Sequence, residues 1–161
     1  MCDIKIKPST EQLKVINSLK THNVIVNSVA GSGKTTTNIF IAKKFHDKKI
    51  LLLTYNKKLR EDTLAKIKKY NINNLDTYTY HSFCVRYYKK TCYRDSAINS
   101  LLMENLPPYQ QYSYDIIIVD EAQDMTPLYY KLFCKLCNDN KNKSPQICIL
   151  GDIHQNIYSY N

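Results

Sequence analysis

The order of apolar and polar segments predicts an α/β domain, a parallel sheet with helices packed on both of its faces. Short apolar runs alternate with helix-like segments along the whole chain. The runs at 50–54 and 116–119 are continuously apolar up to their last residue, the pattern of strands buried on both faces. A glycine turn at 31–33 separates the first apolar run from a helix, which is the strand–turn–helix order of a βα unit.

Segment 9–21 follows Pro8 and opens on a good N-cap residue with an acidic first turn; Leu13, Ile16 and Leu19 then recur at helical spacing. A strand is expected at 23–27, a turn at 28–35 and a helix at 34–46. The buried-strand run 50–54 is followed by a helix at 57–69, with Leu59, Leu64 and Ile67 on one side. A short strand at 75–78 precedes helical stretches at 81–90 and 95–106, which Pro107-Pro108 and a Tyr/Gln-rich loop end. Strand 116–119, helix 127–138, polar loop 138–144 and strand 147–150 complete the chain. It carries no repeats, low-complexity segments or linkers, so all of 1–161 reads as one domain.

The 161 residues are enough for a real core, and the apolar content of 43% is ordinary for a globular protein. No apolar run approaches a bilayer's width, and Asp3 and Lys5 interrupt the N-terminus where a signal peptide would be apolar. An intracellular protein, cytoplasmic or nuclear, is expected. Six cysteines fit that compartment as thiols. Cys84, Cys134, Cys137 and Cys148 lie in apolar stretches and pack as small hydrophobes. Cys134 and Cys137 have the spacing of half a zinc site but no second close pair. The net charge of +9 favours a polyanionic partner, most simply nucleic acid. A lysine-rich solvated surface from an AT-rich coding sequence explains the same composition.

The turn is the most informative stretch. Ser28-Val29-Ala30-Gly31-Ser32-Gly33-Lys34-Thr35-Thr36 runs from a strand into a helix N-terminus. Glycines let backbone N–H groups converge on phosphate oxygens, and the helix dipole adds positive potential there. Lys34 brings a mobile charge to the outer phosphates and the Thr35 hydroxyl can ligate Mg²⁺. The usual motif has glycine where this chain has Ser28. A second chemical group closes strand 116–119. Asp120 ends it, where ligands collect in open α/β sheets, and is placed to hold Mg²⁺. Glu121, one residue on, points elsewhere and can orient and deprotonate a water. Read alone, the pair also fits an acidic helix cap.

Six segments in order resemble the first motor lobe of superfamily 1 helicases of the UvrD/Rep/PcrA type. Thr10-Glu11-Gln12 resembles the Q motif, Ala30 to Thr35 motif I, and Leu53 to Lys57 motif Ia. Thr79-Tyr80-His81-Ser82-Phe83 resembles a segment that lines the DNA path. Asp120-Glu121-Ala122-Gln123-Asp124 is similar to motif II in its family-specific form, and Gly151-Asp152 to Tyr158 to motif III.

The resemblance implies a RecA-like P-loop fold and an ATP- and Mg²⁺-dependent lobe of a 3′-to-5′ helicase on single-stranded DNA, with RNA left open. It implies that Gln12 reads adenine and that the loop 29–35 with Thr36 holds the nucleotide. Lys34, Glu121 and Gln155 are then the catalytic set, and Thr35 and Asp120 the metal ligands. Tyr55, Asn56, Lys57, His81, Ser82, Phe83 and Tyr158 would contact nucleic acid. Aromatic faces there can stack on bases whatever the sequence, and Lys57, Lys58 and Arg60 can neutralise phosphates. For Phe83 a core position and a DNA-facing one are equally open.

The family's inserted subdomain is reduced to residues 84–114, room for about two short helices. A second lobe, in the same or another chain, would supply transition-state arginines, worth roughly 10³–10⁵ in rate in related enzymes. A stand-alone ATP-binding module and a decayed helicase that only binds nucleic acid are the competing readings.

Overall fold

A computed structural model of the chain describes residues 7–27 and 33–152. Its elements alternate as expected: α1 (Thr10–Ser18), β1 (Val24–Asn27), α2 (Lys34–Lys44), β2 (Ile50–Thr54), α3 (Lys57–Lys69), β3 (Leu75–Thr79), α4 (Tyr80–Tyr87), α5 (Asp95–Met103), β4 (Ile116–Val119), α6 (Pro127–Asp139) and β5 (Gln146–Gly151). All strand pairs are parallel, in the order β1-β5-β4-β2-β3. The last strand in sequence thus lies between β1 and β4. The C-terminal ends of all five strands share one edge, and that edge gathers the motifs.

The sheet has two faces with separate cores, because side chains alternate along each strand. Leu51, Leu53 and Ile117 face a layer built from α4, α5 and α6. Ile50, Leu52, Ile116, Ile118, Cys148 and Leu150 face α1, α2 and Ile72. Helix ends follow local chemistry. Ser9 and Gln12 form a reciprocal capping box at α1, and Thr79 and Ser82 do the same at α4. α3 and α5 end with Asn71 and Asn105 in the left-handed region, at φ 51° and 45°. After each, an N–H reaches back to the last turn, Ile72 to Ile67 and Leu106 to Leu101.

Two of the apolar residues at helical spacing face solvent. Leu13 is 44% exposed and Leu64 is 39% exposed. The buried position of α3 is instead Thr63, whose hydroxyl donates to the Leu59 carbonyl and so sheds its polarity. Helices 81–90 and 95–106 are shorter than expected, ending at Tyr87 and Met103.

Segment 84–114 contributes α5 and a tyrosine-rich strap to the first core. The Tyr87 hydroxyl lies 2.9 Å from that of Tyr114, which donates to Asp76 at 2.9 Å. Tyr88 donates to Asp139, and Tyr112 to the Leu136 carbonyl. Buried phenols thus find partners for their polar ends. Burial pushes the Tyr112 and Tyr114 hydroxyls well above the usual phenol range. The five described cysteines are free thiols, three of them buried, and burial raises Cys148 to about 12. Among the described residues no helix is long and apolar enough to cross a membrane.

Candidate functional site

Gly33 is the N-cap of α2 and sits at φ 81°, a conformation that side chains with a Cβ rarely adopt. The turn can therefore deliver Lys34 directly into the first helical turn. Lys34 Nζ reaches across the edge of the sheet to Glu121 Oε2 at 2.9 Å. Asp120, at the end of β4, is 2% exposed. Its carboxylate accepts from the backbone N–H of Glu121 at 2.9 Å and from Asn38 Nδ2 at 3.3 Å. Asn38 lies one turn beyond Lys34 on α2, so a single helix positions both groups.

Gln12 is placed by α1 beside the same turn. Its amide nitrogen donates to Thr37 Oγ1 at 3.0 Å, and Thr37 Oγ1 donates to the Gly33 carbonyl at 3.2 Å. Gln12, Gly33, Lys34, Asp120 and Glu121 are thus brought to one place, with half-buried Thr35 and Thr36 on the first turn of α2. Val29, Ala30, Gly31, Ser32, Gln155 and Tyr158 lie outside the described residues.

The carboxyl of Asp120 is pushed up to about 6, first by burial and then by the neighbouring Glu121 charge, against the pull of the Glu121 N–H, Lys34 and Asn38. Such a site fits a small hard cation. Its donors are oxygens, and Asn38 Oδ1 and Thr54 Oγ1 are buried close to the strand ends without a hydrogen-bond partner. Thr35 and Asp120 are the residues that would hold Mg²⁺, which when bound neutralises charge developing on phosphate oxygens.

The raised Asp120 carboxyl makes stability depend on pH. The unfolded carboxyl titrates near 3.9, so between about pH 4 and 6 the folded chain keeps a proton that the unfolded chain has released. Stability from this group is full below about pH 4 and is lost as the pH rises through about 6. In metal-free buffer, Asp120→Asn should stabilise the protein relative to wild type by roughly 2–3 kcal/mol more at pH 8 than at pH 4. Urea midpoints at the two pH values measure this, and parallel curves would refute the raised carboxyl.

The expected nucleic-acid residues divide. Tyr55 is 48% exposed at the end of β2, with its ring 5.6 Å edge-on from Tyr129 of α6. His81 is 6.0 Å from the same ring, and its Nε2 is 3.0 Å from Asp95 Oδ1. Tyr129 donates to that carboxylate oxygen at 2.7 Å. Lys57 is exposed, 3.8 Å from Glu61. Asn56 caps α3 through its side chain, and Ser82 is occupied in the α4 capping box. Arg60 bonds the Thr77 carbonyl at 3.0 Å and lies over Tyr78, so it braces β3.

Phe83 is a correction. It is fully buried among Tyr78, Tyr87 and Tyr112. The reason is α4's orientation, which puts Phe83 on the sheet side while His81 stays half-exposed. Phe83→Ala should cost about 3–5 kcal/mol of stability, read from the denaturation midpoint. A loss of DNA binding with unchanged stability would contradict the core placement.

Asn38 and Tyr129 were not legible as site residues. Asn38 has one signal, an amide between the threonines 35–37 and the apolar run Ile39-Phe40-Ile41. Tyr129 looked like any aromatic on an amphipathic helix.

A three-layer parallel α/β domain with Lys34 and Asp120-Glu121 converging at its strand ends defines a P-loop nucleotide-binding domain of RecA-like type. A family described as an AAA domain matches residues 12–161, and the chain belongs to that family. It is an ATP-binding P-loop module related to helicases. No curated protein matches the chain.

Proposed function

We propose that the chain is the ATP-hydrolysing first lobe of a superfamily 1 DNA helicase of the UvrD/Rep/PcrA type, moving 3′-to-5′ on single-stranded DNA with a second lobe from the same or another chain. The observation that carries this is the Lys34–Glu121 contact at 2.9 Å beside the buried Asp120. It joins the helix that opens at the phosphate turn to the strand end that bears the metal ligand and base.

In this reading Lys34 turns from Glu121 to the outer phosphates when nucleotide enters. Glu121, released from that pair, takes the proton of the attacking water. Gln12 contacts adenine, and Gln155 answers to the terminal phosphate. The polyanion track runs over the β2 and β3 ends of the same edge, where Tyr55 and His81 flank Tyr129 and Lys57 is exposed. Nucleotide and track then share one rigid sheet, which lets hydrolysis at one end be felt at the other.

The test is steady-state ATP hydrolysis with Mg²⁺, with and without single-stranded DNA or RNA. Turnover stimulated by DNA supports the motor reading. ATP binding that ignores nucleic acid would make the chain a nucleotide-binding module without translocation.

A further inference from the structure

We propose that Gln123 is a positioning residue for hydrolysis, one that ties the Glu121 carboxylate to the C-terminal end of β5. This rests on the reading of Glu121 as the base. Gln123 Nε2 donates to Glu121 Oε2 at 2.6 Å, and Gln123 Oε1 accepts the backbone N–H of Asp152 at 3.0 Å. The two partners fix the orientation of the amide. A carboxylate only accepts and a backbone N–H only donates, so a flipped amide would lose both bonds. One rigid planar amide therefore bridges the strand end and the carboxylate.

Two further features show the link is tight. A Cβ on Gly151 would lie 3.3 Å from both Gln123 Oε1 and the Ala122 side chain, so β5 approaches the Ala122–Asp124 turn closely and a side chain there would crowd both. Glu121 itself sits at φ 54°, in the sparsely populated left-handed region. Its position is imposed by surroundings rather than by its own backbone preference.

Lys34 and Gln123 donate to the same oxygen of Glu121. Once the Lys34 ammonium is drawn to phosphate, Gln123 remains to hold the carboxylate. Any displacement of the Gly151–Asp152 strand end then moves the base directly, and a shift of about 1 Å in such a group can cost about 10²-fold in rate.

The test compares the full 161-residue chain with Gln123→Met, which keeps side-chain length and removes both bonds. Affinity for a fluorescent ATP analogue, steady-state hydrolysis, thermal midpoint and hydrogen exchange of the Asp152 amide are measured for each. The expected result is a kcat about tenfold lower or more, affinity within about twofold, and faster exchange at Asp152.

Unchanged kcat in Gln123→Met overturns the proposal. So does a joint loss of kcat, affinity and thermal stability, which marks a merely structural residue. If wild-type turnover is too slow to follow, a nucleotide-induced change in Asp152 exchange that Gln123→Met abolishes supports the link, and its absence overturns it. Failure of the unmodified chain to bind the analogue removes the nucleotide-site reading itself and is seen separately.

Discussion

Alanine in place of Lys34 should abolish ATP turnover, lowering kcat/KM by at least about 100-fold, the scale for losing one charge-stabilising donor in a preorganised site. Lys34 is the cation that Gly33 and the start of α2 deliver to the strand ends, 2.9 Å from Glu121. Its removal leaves outer-phosphate charge uncompensated where Asp120 and Glu121 already crowd two carboxylates. The same substitution frees Glu121 from its ion partner, so nucleotide affinity should fall too, both through lost attraction and through exposed like charge. A coupled-enzyme assay reads the rate and fluorescence titration reads the affinity. A turnover number equal to wild type would remove the phosphate-loop assignment.

Glu121→Gln should separate the two halves of the cycle. Gln keeps the size of the side chain and still offers an oxygen to Lys34, so ATP binding should persist. It cannot take a proton, so kcat should fall by about 10²–10⁴, the range for a lost general base. The neighbouring Asp120 should also titrate lower in this variant, because the Glu121 charge is one of the two causes that raise it. Single-turnover hydrolysis after ATP is bound is the deciding measurement. Hydrolysis at the wild-type rate would show that Glu121 is not the base, even with the P-loop reading intact.

Much of this was legible because the signals are local. The turn at 31–33 announces itself through glycine, whose φ of 81° at Gly33 few other residues would tolerate. The continuous apolar runs at 50–54 and 116–119 could only be strands buried on both faces, as they are. Asp120 and Glu121 follow such a run directly, so their place at a strand end was set by covalent connection alone. What helical spacing leaves open is which residues of an apolar face the core takes. Leu13 and Leu64 are apolar at helical spacing, yet the core takes Ile16, Leu19 and Thr63 because the docked helices turn those positions inward. Phe83 could serve either a core or a base-stacking surface, since an aromatic ring suits both.

The parallel α/β class, the glycine turn and the acidic strand end can be read from the chain because each is a property of consecutive residues and their backbone preferences. The entry of β5 between β1 and β4 appears only in the folded molecule, since strand order depends on which faces bury best and not on chain order. That insertion sets Asp152 beside Gln123, while α2 carries Asn38 to Asp120. These contacts span 29 and 82 positions along the chain, and only the packing of the whole sheet brings their partners within hydrogen-bond distance.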